Sequence, residues 1–407
     1  MRNGELRLGR EALMLGALVA PAPFAVDMFL PALPQISLSL GSGVTSTQMT
    51  LTAYFLAFAL AHLVYGPWSD ARGRLPVLRV GVLVFLVGSV ICTLAPAIEV
   101  LIFGRVLQAT GAAALTVLPR AMIRDSHIGL DATRLTALLM LILSVSPLLA
   151  PLAGSLLMMV SDWRGIFAAL AAGAIVSYLL LRLGMRETLP PIERYPVSRK
   201  ALRKGARRLF ADPTFLGMTC LASFGLANFF VFVAMAPFVF KSAFGLGHLG
   251  ISAALAVNGI GFFITAQAAA PLALRFGADR VMLWGALGYG GVVAVTALFL
   301  QAAEPGLIPV VGLIALANAS LGVTVPTALC RALDPHGPIA GLAASVSGAV
   351  QMSVTGLLIL GASVVLPQTL DGLLAALAIC ATLVGVTALC TLRTGAHRQG
   401  WTDGYDT

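Results

Sequence analysis

Apolar stretches of membrane-spanning length recur along almost the whole chain, separated by short polar segments. A helix needs about 20 apolar residues to cross a bilayer. Runs such as residues 77–96 are apolar on every side, whereas a membrane-spanning strand alternates apolar and polar residues. The pattern therefore predicts helices rather than a barrel. Twelve spans are predicted, at residues 12–32, 48–67, 77–96, 100–123, 134–158, 163–182, 214–238, 249–272, 280–300, 307–329, 340–362 and 370–392.

The composition excludes a soluble globular protein. Of the 407 residues, 58% are hydrophobic and 11% are charged, and the mean hydropathy is +0.94. The net charge of +9 would suit a nucleic-acid ligand, but the basic residues lie beside predicted spans, so we expect no nucleic-acid partner. The five cysteines form no C-x-x-C pair and have no His at metal spacing. Neither a disulfide framework nor a metal site is expected.

The basic residues predict the orientation in the membrane. If both termini are cytoplasmic, all but three of the 26 Lys and Arg residues lie in cytoplasmic segments, in agreement with the positive-inside rule. The exceptions are Arg105 within a span and Arg164 and Lys241 outside. The first apolar stretch continues past Asp27 to Pro31 without a cleavage site, so we interpret it as a span and not as a signal peptide.

A long basic segment divides the predicted spans into two groups of six. We predict an N-terminal six-helix half at residues 1–182, a cytoplasmic linker at 183–213, a C-terminal six-helix half at 214–392 and a cytoplasmic tail at 393–407. The linker is either a plain solvated segment or a contact for anionic lipid head groups. The predicted fold class is an all-α membrane protein with two pseudo-symmetric halves.

A weak internal repeat supports this division. Residues 270–283 fall between the second and third spans of the second half, as residues 66–78 do in the first. Gly277 matches Gly73 in spacing, whereas Leu274 replaces Asp70, so the second copy is interpreted as having kept the turn and lost the charge. Repeated halves favour a transporter whose site lies between them.

The segment GPWSDARGRLPVL at residues 66–78 is predicted to be a tight polar hinge between two spans. We expect Asp70 to form a charge cluster with Arg74 and with Asp125 or Arg124, and to lie near a helix N-terminus. The alternative is a solvated turn that only joins two helices. The spacing resembles the loop signature of the major facilitator superfamily, G-x-x-x-D-x-x-G-R-x-P. The matching residues are Gly66, Asp70, Gly73, Arg74 and Pro76.

Asp27 and Arg105 are ionisable residues within predicted spans, both expected in the outer half of the bilayer. Charges in the membrane are costly, so each suggests a functional or pairing role. A carboxyl group in surroundings of low polarity favours its protonated form, which makes Asp27 the predicted proton carrier. Arg105 can pair with that carboxylate or with polar helix groups. The alternative for Asp27 is a helix-end carboxylate at the outer interface. The alternative for Arg105 is a packing arginine held by backbone carbonyls.

Three motifs are similar to those of the bicyclomycin and chloramphenicol resistance exporters, the Bcr/CflA group of twelve-span drug:proton antiporters. They are the DMFLPALP run at residues 27–34, the loop at 66–78 and the R-x-x-Q-x-x-G run that contains Arg105 and Gln108. This resemblance implies the major facilitator fold. In the fifth span, Pro147, Pro151 and Gly154 resemble a proline and glycine motif associated with antiporters, and this resemblance implies a conformational role for them. Ala150 and Ser155 depart from the stricter form of the motif.

The resemblance also implies that aromatic residues of the seventh span line a cavity for an amphipathic drug. The aromatic candidates are Phe229, Phe230 and Phe232. Such rings also pack against lipid or other helices, which is the alternative role. For the polar candidates the alternative is hydrogen bonding between helices. The polar candidates are Tyr54, Gln108, Asn228, Asn258, Asn318 and Gln351.

These features together predict a monomeric, proton-coupled exporter of small amphipathic antimicrobials in a bacterial inner membrane, working by alternating access. Its expected partners are the substrate, protons and membrane lipids. No cofactor is expected, since the sequence has no phosphate-binding G-x-x-x-x-G-K-[ST] loop. One rival is an exporter of an endogenous metabolite such as a sugar or amino-acid derivative. The other is a membrane enzyme or sensor, against which stands the lack of a catalytic His, Cys or Ser cluster, so we expect no enzyme activity.

Overall fold

In the computed structural model the chain is described at residues 2–127, 129–194, 199–302 and 306–402, and it is helical with no strand in those ranges. Residues 195–198 of the predicted linker and 403–407 of the predicted tail lie outside the described residues. The α-helices are α1 (Arg2–Val19), α2 (Pro21–Asp27), α3 (Leu33–Ser39), α4 (Val44–Arg72), α5 (Arg74–Leu94), α6 (Ile98–Ser126), α7 (Gly129–Val160), α8 (Arg164–Gly184), α9 (Arg199–Phe210), α10 (Pro213–Phe244), α11 (His248–Phe276), α12 (Ala278–Ala302), α13 (Leu307–Leu333), α14 (Ala340–Val365) and α15 (Leu370–Thr402).

The number of spans agrees with the prediction. Within the described ranges, 11 helical segments are long and apolar enough to cross a membrane, and the bent helix α7 makes a twelfth. The bend in α7 is 43° and separates Gly129–Leu143 from Val145–Val160. Pro147 accounts for it, because a proline ring clashes with the carbonyl four residues earlier, which here is that of Leu143. The all-helical membrane fold is thus confirmed, with spans that extend beyond several predicted boundaries.

The first span is longer than predicted and is broken. It runs from Glu11 to Ser39 and comprises α1, α2, a 3₁₀ turn at Leu30–Ala32 and α3. Prolines throughout this segment remove backbone donors and interrupt the ladder of helical hydrogen bonds. Asp27 is the last residue of α2, immediately before the break. The sequence therefore places a carboxyl group where helical backbone bonding is interrupted.

The predicted hinge at residues 66–78 is wrong in extent. Helix α4 continues through Gly66 and Pro67 to Arg72, and α5 begins at Arg74. Only Gly73 separates them, with φ 98° and ψ 155°. Polar side chains at a helix end are solvated and do not stop the helix, whereas this backbone conformation is open essentially to glycine alone. We call this residue the Gly73 hinge.

The chain forms two compact units. The first unit comprises residues 1–198 and 247–253, and the second comprises 199–246 and 254–407. In the first, α5 packs against α6 and α8, and α4 packs against α6. In the second, α10 packs against α13, α14 and α15. Helix α9, which lies in the predicted linker, belongs to the second unit.

Glycines allow α5 and α6 to approach closely. A Cβ atom added at Gly88 would lie 2.3 Å from the backbone nitrogen of Gln108, and one added at Gly111 would lie 2.3 Å from that of Phe85. Small residues at helix contacts are the usual means by which membrane helices bring their backbones together. This contact holds α6, which carries Arg105, firmly within the first unit.

Candidate functional site

Asp27 is buried within the first unit, with 4% of its surface exposed. Its Oδ2 accepts a hydrogen bond of 3.2 Å from the hydroxyl group of Ser146, on α7 beside Pro147. Sequence reasoning missed Ser146, although a serine next to a proline in the middle of a span was a visible signal. One hydroxyl donor satisfies little of an ionised carboxylate, which accepts several hydrogen bonds. The surroundings therefore suit a carboxyl group that takes up and releases a proton.

Arg105 is completely buried on α6. Its Nη1 donates to the backbone oxygen of Ala25 at 2.7 Å and to Oε1 of Gln108 at 2.5 Å. The guanidinium carbon lies 4.2 Å from the ring centroids of both Phe29 and Tyr54. Cation–π contacts of this kind stabilise a desolvated charge. Within the described part of the chain, Nε and Nη2 have no hydrogen-bond partner, so one edge of the buried guanidinium is unpaired in this conformation.

The two predicted residues are held separately. No ion pair joins Asp27 to Arg105 among the described side chains. Arg105 is instead hydrogen-bonded to polar helix groups, the alternative to an ion pair with Asp27 that the sequence allowed. Tyr54, a predicted substrate contact, directs its hydroxyl to the backbone oxygen of Ala22 at 3.4 Å. Gln108, another, donates from Nε2 to the hydroxyl group of Ser89 at 2.8 Å. Both side chains are therefore engaged within the first unit in this conformation.

Gly154 on α7 lies directly against the break in the first span. A Cβ atom at this position would lie 1.8 Å from the backbone oxygen of Met28, so only glycine fits. The neighbouring Ser155, a departure from the stricter motif, also has a structural use. Its hydroxyl donates to the backbone oxygen of His248 at 2.9 Å and lies 2.6 Å from that of Ser252, which in turn donates to the backbone oxygen of Pro151 at 2.8 Å.

A cluster of charges around the buried Arg74 lies at the end of the first unit that is predicted to face the cytoplasm, which we call the inner end. Arg74 forms an ion pair with Asp70, and its Nε lies 2.8 Å from Oδ2 of Asp125. Its Nη1 also donates to the hydroxyl group of Ser69 at 2.6 Å. The predicted contacts among Asp70, Arg74 and Asp125 are present, and of the two residues considered on α6 it is Asp125 that takes part.

Glu187 caps the first turn of α5, a contact that sequence reasoning missed. The Gly73 hinge has no side chain with which to cap this helix. Glu187 supplies the acceptors instead: Oε1 accepts from the backbone nitrogen of Arg74 at 2.9 Å and Oε2 from that of Leu75 at 3.2 Å. Asp70 contacts the side chain of Arg74 at the start of α5, whereas the backbone donors of that helix end are capped by Glu187. Glu187 lies 113 residues from Arg74, so no local pattern revealed it.

Replacing Glu187 with Gln is expected to destabilise the first unit by about 0.5–2 kcal/mol, the usual cost of losing a helix cap, because the amide has one acceptor oxygen and no charge. The melting temperature of the purified protein in detergent should fall. Glu99→Gln is the matched control, since Glu99 is an exposed acid in the first turn of α6. Equal melting temperatures for Glu187→Gln and the wild type would contradict the capping role.

The second unit has an ion pair at the equivalent place with its charges exchanged. Asp279, in the first turn of α12, lies 3.0 Å from Arg331, in the last turn of α13. In the first unit, the base is at the start of α5 and the acid at the end of α6. Leu274 does stand in the place of Asp70, as interpreted, and the second unit instead carries an acid two residues past its turn glycine.

A chain of buried amides links helices of the second unit. Asn228 donates from Nδ2 to Oδ1 of Asn318 at 2.8 Å, and Asn318 donates to Oδ1 of Asn258 at 3.0 Å. The hydroxyl group of Tyr289, which sequence reasoning missed, contacts Oδ1 of Asn228 and lies 2.9 Å from the backbone oxygen of Leu377. For Asn228, Asn258 and Asn318, the structure thus shows hydrogen bonding between helices.

The remaining substrate candidates differ in their exposure. Phe232 is completely buried and its ring lies 6.1 Å from that of Phe240, so in this conformation it belongs to the core of the second unit. Phe229 is buried, and Phe230 is half-buried and packs edge-on against it at 5.4 Å. Gln351 donates to the hydroxyl group of Ser347 on its own helix at 3.2 Å. Phe230 is the most accessible of the three phenylalanines.

Comparison with known proteins agrees with this architecture. The MFS-type transporter YdgK of Bacillus subtilis is 34% identical over 251 residues, 61% of this chain and 62% of the relative, so the match spans less than two-thirds of that relative's length. A chloramphenicol resistance protein of Pseudomonas aeruginosa is 30% identical over 334 residues, 80% of this chain and 78% of the relative. A crystal structure of a D-xylose-proton symporter has a TM-score of 0.74 at 14% identity over 93% of this chain and 96% of the symporter, which shows the fold alone. Residues 15–362 match the profile of the Major Facilitator Superfamily, and the chain belongs to that superfamily.

Proposed function

We propose that this protein is a proton-coupled antiporter of the bicyclomycin and chloramphenicol resistance type, which exports small amphipathic antimicrobials across a bacterial inner membrane. It works as a monomer by alternating access, with both termini in the cytoplasm. The observation that carries the proposal is the buried carboxyl group of Asp27, which has Ser146 as its one side-chain donor among the described residues. Ionisable groups in such surroundings are typical of proton relays in transporters.

Exchange requires that proton and drug favour opposite states. A proton enters Asp27 from the outside as drug leaves, and drug that binds from the inside favours release of that proton. The unpaired edge of Arg105 supplies a cationic donor for an acceptor on the drug, when the conformation exposes it, or for Asp27 once ionised. The driving force is sufficient, because one charge crossing 100 mV supplies about 2.3 kcal/mol, or about 50-fold in concentration.

The substrate class rests on chemistry and on relatives. A surface of aromatic rings tolerates many flat amphipathic molecules, and the Pseudomonas aeruginosa relative is named for chloramphenicol resistance. Expression of this chain in an efflux-deficient bacterial host should raise resistance to chloramphenicol, and Asp27→Asn should remove that gain at equal expression. A host that stays equally sensitive to chloramphenicol and to a panel of amphipathic antimicrobials would contradict drug export.

We further propose that the inner-end cluster stabilises the outward-open state. Arg74 is buried and bonded to Asp70, Asp125 and Ser69, so removing the charge of one acid leaves this buried guanidinium less well compensated. Asp70→Asn is expected to slow drug export several-fold with little change in expression. Asp131→Asn, an exposed acid on α7, is the control. Transport at the wild-type rate in Asp70→Asn would count against this role.

A further inference from the structure

Helix α9 is basic along one side only. Its sequence, RKALRKGARRLF, contains no acid. Five exposed cations follow the spacing i, i+3, i+4, i+7 and i+8, which places them on one side of the helix. We call this side the α9 basic face, and it consists of Lys200, Arg203, Lys204, Arg207 and Arg208. The opposite side is half-buried or buried, and it consists of Leu202, Gly205, Ala206 and Leu209.

Helix α9 is attached at two points to the surface from which spans of the second unit begin. Near its middle, a Cβ atom added at Gly205 would lie 2.5 Å from Cδ2 of Leu342, which is the third residue of the candidate span Ala340–Val365. Its last residue lies three residues before the candidate span Pro213–Phe244. Both spans begin at the end of the second unit that is predicted to face the cytoplasm. Because its middle and its end both lie at that level, α9 runs along the membrane surface and keeps its cations close to the lipid head groups.

The charges of the α9 basic face are not neutralised by the described part of the protein. None of the five side chains forms an ion pair with a described acid. Asp212, the first acid after the helix, is engaged elsewhere. Its Oδ1 accepts from the backbone nitrogen of Thr214 at 2.9 Å, and its Oδ2 lies 3.2 Å from Nε2 of His336. Like charges one turn apart on a helix repel one another, so an external anion stabilises this face.

Phe210 favours a lipid over a soluble anion as the partner of this face. It is the last residue of α9, and 54% of its surface is exposed. It follows Arg207 by three residues and Arg203 by seven, which places it on their side of the helix. An exposed aromatic ring beside cations is typical of helices that lie in a membrane interface. Basic clusters directly next to a membrane span are typical of binding to anionic lipids of the cytoplasmic leaflet.

We propose that the α9 basic face binds the phosphate groups of anionic phospholipids in the cytoplasmic leaflet, with the ring of Phe210 inserted beside them. Lysine and arginine side chains donate charge-assisted hydrogen bonds to phosphate oxygens, and a leaflet offers phosphate groups to all five cations at once. Of the two roles that the sequence left open for the linker, this part of it is a lipid contact and not a plain solvated segment. The inference concerns the second unit alone and is independent of the proposed export function.

The lysines of this chain allow a test that is resolved by residue. The sequence contains three lysines. Lys200 and Lys204 lie on the α9 basic face, and Lys241 is exposed in the last turn of α10. The full-length protein is placed in nanodiscs of phosphatidylcholine, alone or mixed with phosphatidylglycerol, acetylated with an uncharged reagent and analysed by mass spectrometry. Phosphatidylglycerol should slow the acetylation of Lys200 and Lys204 about fivefold relative to Lys241, because a bound phosphate group keeps the amine protonated and shielded.

Two double variants with the same change of charge complete the test. Arg203→Gln with Arg207→Gln keeps both α9 lysines but removes two cations beside them, so most of the protection should be lost. Arg275→Gln with Arg280→Gln removes two exposed arginines at the same end of the second unit and should protect the α9 lysines as the wild type does. Equal acetylation of these lysines in both kinds of nanodisc, or full protection in the first double variant, would overturn the proposal. Protection by soluble glycerol 3-phosphate in phosphatidylcholine nanodiscs would also overturn it, because the face would then bind a soluble phosphate ester.

Discussion

Asp27→Asn is expected to abolish uphill drug export while leaving measurable drug binding. The carboxyl group is buried and bonded only to Ser146 among the described side chains, and an amide occupies nearly the same volume without taking up a proton. In the wild type, protonation opposes drug binding, so affinity should fall as the pH falls. The variant should bind drug at every pH with about the affinity that the wild type shows when protonated.

The measurement is drug binding in detergent across the physiological pH range, together with drug accumulation in proteoliposomes under an imposed proton gradient. The wild type should sustain a concentration ratio of up to about 50-fold per 100 mV, and the variant should stay near one. Asp27→Glu, which keeps the acid, should retain part of the activity. If the wild type and Asp27→Asn share one pH dependence, another residue carries the proton.

Gly73→Ala is expected to disable the inner-end cluster. The backbone at the Gly73 hinge costs about 1–3 kcal/mol for a residue with a side chain. The added Cβ atom would also lie 2.6 Å from Oε2 of Glu187 and 3.0 Å from Nη2 of Arg194. The carboxylate that caps α5 must then move, which adds the loss of a cap, about 0.5–2 kcal/mol. Transport should fall severely and the protein should melt at a lower temperature.

Gly277→Ala is the matched control in the second unit. Gly277 has φ 88°, yet a Cβ atom there would meet nothing within 4 Å, so this substitution strains the backbone without displacing a neighbour. Comparing the melting temperatures of the two variants isolates the contribution of the Glu187 contact. Two variants that are destabilised equally would show that the displaced cap contributes nothing and that strain at the glycine is the whole effect.

The elements that the sequence predicted well depend on local chemistry. Twelve spans could be predicted because hydrophobic length is a property of consecutive residues. Asp70 and Arg74 are only four residues apart in the sequence, and a carboxyl group in an apolar segment marks Asp27 without reference to any other helix. The extent of the hinge was harder to predict, because helix α4 continues through a segment whose glycine, proline and charges resemble a loop.

The contacts that could not be predicted join distant parts of the chain. Ser146 reaches Asp27 across 119 residues, and neither residue type alone indicates the other. Asp279 was overlooked because the repeat was compared position by position, whereas the ion pair keeps its place and exchanges its charges. A tyrosine such as Tyr289 can contact lipid, substrate or another helix. Only the packing of the second unit shows that its hydroxyl group contacts Asn228.

The cap on α5 also determines when, during synthesis, the first unit can complete its folding. Arg74 and Glu187 are 113 residues apart, and a ribosome adds roughly 5–20 residues per second. The third span, α5, therefore waits about 6–23 s, while three more spans enter the membrane, before the residue that caps its first turn has been synthesised. During that interval the nascent α5 exposes unpaired backbone donors, so the first unit gains its final stability only when its sixth span is complete.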